Sequence, residues 1–204
     1  MLVYLIQGIG YGFAAAAQPG PFQTFLISQS LQHGWRRTLP AALAPLLTDG
    51  PIILLVLLLL SQVPDWFQRC LHLAGGLFML VLARSAFLGW QRFNPAGATN
   101  PPPGGGSLFR AATVNLLNPG PYLYWSLVTG PILLAGWLAT SANGIGFLAG
   151  FYLAMLATLG IIILVFATAR HLGPRVNRAL LGLSALALAG FGVYQIWLAV
   201  GAKF

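Results

Sequence analysis

Gln18-Pro19-Gly20-Pro21 and, one hundred residues later, Asn118-Pro119-Gly120-Pro121 are the two stretches on which the fold turns. Each interrupts an otherwise apolar run, and each sets two prolines around a glycine directly after a carboxamide. Proline removes a backbone N–H and clashes with the preceding turn, so both stretches are expected to unwind a helix locally. In water such a stretch is an ordinary loop. In hydrocarbon, unpartnered backbone groups survive only where protein buries them or where they line a water-filled cavity. A matched pair of interrupted apolar segments therefore points to a transporter's binding site.

Composition places both breaks in a membrane. Of 204 residues 58% are hydrophobic and only 6% are charged, and the mean hydropathy is +0.82. These values lie outside the range of water-soluble globular domains. The fold class read from this is all-α, a polytopic membrane bundle. Six runs are long enough to cross about 30 Å of hydrocarbon: 2–31, 39–60, 66–90, 108–138, 145–169 and 179–200. Little chain is left for a soluble domain, so the function is expected within one transmembrane domain, 1–204. The small-residue run Ala14 to Ala17 imitates a cleavage site, but no Lys or Arg precedes Arg36. Without a basic n-region it reads as a retained first helix.

The basic residues give the orientation. Arg36 and Arg37 follow the first span, Arg92 and Arg110 flank the connection between spans three and four, and Arg170, Arg175 and Arg178 lie between five and six. The even-numbered connections hold Asp65 and Arg69, or no charge, and Lys203 lies in the tail. By the positive-inside rule the odd connections are cytoplasmic and both termini are outside. The net charge of +8 is thus a topology signal and an attraction to anionic membrane lipid, not the mark of a nucleic-acid partner. Arg84 is placed to snorkel to the same interface. Trp35, Trp66, Trp90 and Trp137 fall near span ends, as an aromatic belt requires.

The stretch 94–107, NPAGATNPPPGGGS, cannot pack a core and reads as a solvated linker. Repeat one (1–93) and repeat two (108–204) each carry three spans. Because three is odd, the second repeat enters the membrane in the opposite sense, giving a 3+3 inverted repeat with helices one and four broken. Gly50 and Gly150 share the hundred-residue offset of the two breaks.

Each break is expected to create a half-helix N-terminus at membrane depth. Pro21 and Pro121 suit the first helical position, where a missing N–H breaks no bond, and Asn118 suits the N-cap. The amides of Phe22 and Gln23, and of Tyr122 and Leu123, would then attract an anionic group such as a carboxylate. A packed proline kink closed by one buried water is the blander alternative. Asp49, in Leu47-Thr48-Asp49-Gly50-Pro51, is the only acid placed inside the bilayer. An ionised carboxylate there costs at least about 2.5 to 3.5 kcal/mol, so it should face the interior and take a cation or a proton. It also fits the N-cap of a half-helix starting near Pro51, a role compatible with transport. Gly146, Gly150 and Ala154 permit close helix approach. The expected site, built from Gln18, Pro19, Gly20, Pro21, Phe22, Asp49, Asn118, Pro119, Gly120 and Pro121, suits a small zwitterion: a carboxylate on the half-helix N-termini, an ammonium or coupling proton at Asp49.

These residues are where the whole chain resembles the lysine exporter (LysE/RhtB) type of six-helix amino-acid translocators. The resemblance rests on Gln18-Pro19-Gly20-Pro21, on Asp49-Gly50 in the second span, on Asn118-Pro119 opening the second half, and on the chain length and central polar linker. It implies export of amino acids or related small metabolites across the bacterial inner membrane, driven by the proton gradient. Two positions depart from the pattern: Phe22, where the family commonly has an acid or amide, and Gly120-Pro121 after Asn-Pro.

Other functions fit less well. A divalent-cation carrier would present several intramembrane acids, and one is too few; a lipid-linked cargo stays open. His33, His72 and His171 share no ligand spacing with Cys70 or the acids, so no metal site and no cofactor are expected. The single cysteine excludes an internal disulfide. An intramembrane enzyme would need a partnered base, and only a spatial approach of His72 to Asp49 would supply one. Self-association is left open.

Overall fold

A computed structural model describes residues 1–59, 65–91, 107–169 and 173–201, and among these the chain is helical, with no strand. Ten α-helices follow one another: α1 Leu2–Ala17, α2 Pro21–His33, α3 Trp35–Thr38, α4 Ala44–Leu59, α5 Asp65–Gln91, α6 Ser107–Leu117, α7 Pro119–Tyr124, α8 Gly130–Ala139, α9 Ser141–Ala169 and α10 Pro174–Gly201. A 3₁₀ stretch, Leu39–Leu43, joins α3 to α4, and a π-helical stretch, Trp125–Thr129, joins α7 to α8. The expected linker lies outside the described residues apart from Ser107, which opens α6.

Among the described residues five stretches are long and apolar enough to cross a membrane: Trp35–Leu55, His72–Gln91, Pro119–Ala139, Ser141–Ala169 and Arg175–Gly201. The first expected span, 2–31, is not one helix. Residues 18–20 divide it into the 16-residue α1 and the 13-residue α2, and at about 1.5 Å per residue α1 alone reaches only ~24 Å. The outward faces are apolar, with Leu153 at 68%, Leu186 at 72% and Val200 at 81% exposure. Such faces would drive aggregation in water and are at home in hydrocarbon, so this is a multi-pass membrane protein.

Two helix pairs organise the bundle. Glycines at 8 and 12 let α1 lie directly against the backbone of α9 at Phe147 and Phe151, and Gly150 does the same opposite Leu5. Residue numbers rise together along this contact, so α1 and α9 run parallel. Between α5 and α10, Gly76 meets Gly192 while Trp90 meets Gly182, which makes that pair antiparallel. Small residues supply the attraction here, because lipid offers no hydrophobic penalty to drive helices together. The interior is filled by Phe22, Phe25, Leu26, Trp125, Phe147, Phe151, Leu159 and Ile163, all buried. Trp35, Trp66 and Trp137 are exposed. Arg36 covers the Trp35 ring at 5.2 Å and Arg178 the Trp90 ring at 5.1 Å.

A candidate polar cavity at two helix breaks

At the first break the chain leaves α1 through Gln18 (φ −63°, ψ 122°) and passes an extended Gly20 (φ −166°) before Pro21 opens α2 at its first position. The carbonyls freed at the end of α1 find a local partner: Gln23 Nε2 donates to the oxygens of Ala15 and Ala16, each at 3.2 Å. The first helical bond of α2 runs from Thr24 N–H to the Gly20 carbonyl at 3.0 Å, and no side chain caps this helix. The amides of Phe22 and Gln23 therefore precede the hydrogen-bonded ladder, as the first turn of any helix dictates.

The second break differs. Asn118 is the N-cap as expected, its Oδ1 accepting from Gly120 N–H at 3.1 Å. The helix restarts at Pro119, so the expectation that Pro121 occupies the first position is corrected to Pro119. Prolines at the first and third positions have no N–H, and Asn118 occupies the one at the second. Tyr122 then stands four residues past Asn118, inside the helix, so the expected free amides of Tyr122 and Leu123 are absent. Tyr122 instead donates its hydroxyl to the Leu116 carbonyl at 2.9 Å, covering the end of α6 as Gln23 covers the end of α1.

Asp49 is not a cap either. α4 runs unbroken from Ala44 through Pro51 to Leu59, and Asp49 sits in mid-helix, 4% exposed. Its carboxyl is held by groups of the chain's second half. Asn115 Nδ2 donates to Asp49 Oδ1 at 3.2 Å and to Thr48 Oγ1 at 2.7 Å. Tyr152 Oη donates to Asp49 Oδ2 at a longer 3.4 Å, and Trp125 is a further side-chain partner. Thr48 donates its own hydroxyl to the Ala44 carbonyl at 3.0 Å, which fixes it as the acceptor for Asn115. Trp125 opens the π-helical stretch, a local widening that often accompanies functional positions.

One cavity of about 410 Å³ gathers these parts. It is lined by Gln18, Pro19, Gly20, Pro21, Phe22, Asp49, Asn118, Gly120 and Pro121, so every expected site residue but Pro119 reaches it. Pro119 is buried beside it. Gln23, Asn115, Tyr124, Trp125 and the α9 side chains Phe151, Met155 and Leu159 complete the wall. Sequence reasoning missed Asn115, Trp125 and Tyr152. Asn115 had a usable signal, since it is a third carboxamide in an apolar run, one helical turn before Asn118. His72, the residue that could have made an enzyme of Asp49, lies on α5 and does not line the cavity. Among the described residues no three His, Cys, Asp or Glu side chains come together as metal ligands.

The family model described as LysE type translocator matches residues 13–198, a span that contains both breaks, Asp49 and its partners. No curated protein and no solved structure gives a significant match.

Proposed function

Because the chain belongs to the LysE type translocator family, we propose that it is a secondary active transporter exporting amino acids or related small zwitterions, coupled to protons through Asp49. The carrying observation is that the buried Asp49 carboxyl and both helix breaks line one cavity. The cargo's ammonium replaces the neutral donors at Asp49, and its carboxylate sits on the uncapped amides of Phe22 and Gln23 at the start of α2. After the cargo leaves, a proton neutralises Asp49. Alternating occupancy of one carboxyl by proton and ammonium is a sufficient coupling device, since an isolated charge at that depth is costly.

In this proposal the chain crosses the membrane six times as a 3+3 inverted repeat, with α1 and α2 forming the first crossing, both termini outside and the bacterial inner membrane as its location. The parallel α1 and α9 support it, since they belong to crossings one and five, and so do the antiparallel α5 and α10 of crossings three and six. The equivalent service of Gln23 and Tyr122 at the two breaks supports it independently.

The test is transport in proteoliposomes loaded with a mixed amino-acid panel under an imposed pH gradient, comparing the parent with Asp49→Asn. Gradient-driven release by the parent and its loss in the variant are expected. If no amino acid moves, the cargo assignment falls; if the variant keeps gradient-driven transport, Asp49 is not the coupling group.

A further inference from the structure

The cavity wall is divided by chemistry, and the division selects among amino acids. Among the described residues Asp49 is the only charged side chain on it, and no Lys, Arg or His lines it. The chain has just one other acid, Asp65, which opens α5. The carboxamides of Gln18, Gln23, Asn115 and Asn118 lie with the breaks and Asp49. From the adjoining helix α9, Phe151, Met155 and Leu159 enter at four-residue spacing, one stripe on one helix face. They are 1%, 6% and 1% exposed, and Phe22, Leu123 and Leu127 face the same space.

Resting on the zwitterion reading above, we propose that the cargo is an amino acid with a bulky uncharged apolar side chain, received by the Phe151, Met155 and Leu159 stripe, and that basic amino acids are rejected. The backbone ammonium of any amino acid uses Asp49. A lysine or arginine brings a second cation, and among the described residues no second acid lines the cavity to receive it. The insertion cost of an uncompensated charge, about 2.5 kcal/mol or more, converts at 1.4 kcal/mol per decade to discrimination of roughly 50-fold. Small polar side chains lose apolar burial instead, each missing methylene costing about fourfold, so serine falls below leucine by roughly the same order as lysine.

Entrance counterflow reads this without regard to the direction of export. Proteoliposomes of the full chain are preloaded with unlabelled leucine, methionine, serine, lysine or arginine, and uptake of the same labelled amino acid is followed. Exchange of leucine and methionine at least roughly 50-fold above serine, lysine and arginine is expected. Lysine or serine exchanging as fast as leucine overturns the inference while leaving the amino-acid transporter intact. If none of the five exchanges, the transporter reading fails and this inference with it. Met155→Glu adds an acid to the stripe and should narrow the leucine-to-lysine ratio at least tenfold, whereas Met155→Gln, of similar size, should not. An unchanged ratio in a Met155→Glu variant that still elutes as folded protein also overturns it, and the parent panel decides if that variant does not fold.

Discussion

Asn115→Ala tests whether Asp49 works as an oriented carboxyl or merely as a buried one. Asn115 is 5% exposed, and its amide spends both hydrogens at once, on Asp49 Oδ1 at 3.2 Å and Thr48 Oγ1 at 2.7 Å. After truncation the carboxyl keeps Trp125 and a Tyr152 contact whose 3.4 Å lies at the long limit of a hydrogen bond. A hydrogen bond to a charged group is worth about 1.5 to 3 kcal/mol, so transport efficiency should fall roughly 10- to 100-fold at about 1.4 kcal/mol per decade. Tyr152→Phe, which loses only the long contact, should cost less than about threefold. Counterflow in proteoliposomes gives both numbers, and the double variant separates mechanism from packing. If Asn115 acts through Asp49, adding Asn115→Ala to Asp49→Asn should cost nothing further. The reasoning is refuted if Asn115→Ala stays within threefold of the parent, if Tyr152→Phe is the more damaging change, or if the two losses multiply in the double variant.

Gln23→Leu strips the donor from the Ala15 and Ala16 carbonyls and should lower stability by about 1 to 2 kcal/mol, near the upper range for polar contacts in membranes, read by denaturant titration in detergent. Asn118→Ala removes the α7 cap and should cost about 1 kcal/mol by the same titration, with Asn118→Ser retaining most of the stability because it keeps an uncharged capping acceptor. A Cβ at Gly12 would overlap the Phe151 backbone, whereas one at Gly10 meets open space. Gly12→Ala should therefore destabilise by about 1 to 3 kcal/mol, while Gly10→Ala, gaining helix propensity of up to ~1 kcal/mol, should not lower the melting temperature.

Much of the cavity was legible because its signals are local and chemically rare. A proline pair around glycine within an apolar run has few compatible backbones, and a lone aspartate there has few tolerable surroundings; both kinds of residue line the cavity. What the sequence hid depends on which helix faces meet. Nothing local says that Asn115 turns toward α4, and with aromatic residues making up 12% of the chain, Trp125 and Tyr152 do not stand out from packing residues. Pro51 misled for a physical reason. A proline interior to a membrane helix is tolerated when neighbouring groups satisfy the freed carbonyl, so α4 continues where a soluble helix would stop. At the second break the restart at Pro119 is a capping effect. Asn118 needs only Gly120 N–H, and the two prolines occupy positions whose amides would have had no partner in the helix.

The same capping chemistry makes the two halves unequal in what they offer a ligand. At the first break Gly20 has no side chain to cap α2, and Gln23, one of the residues whose amide is left over, turns its carboxamide back to α1. At the second, Asn118 and two prolines leave no donor ahead of Tyr122. Of two half-helix starts facing one cavity, only the first can attract an anion through its amides. The first half also carries Asp49, so both charged ends of a zwitterion would be met by residues 18–49. The second half supplies Asn115, Trp125 and Tyr152, neutral donors that orient the carboxyl, and the apolar stripe of α9. Under the proposed function, a matched pair of breaks would thus yield an asymmetric cavity, with charge recognition on one side and orientation and selectivity on the other. Changes to Asp49 or at the start of α2 should accordingly remove transport of every amino acid alike, while changes along α9 should alter which one is carried.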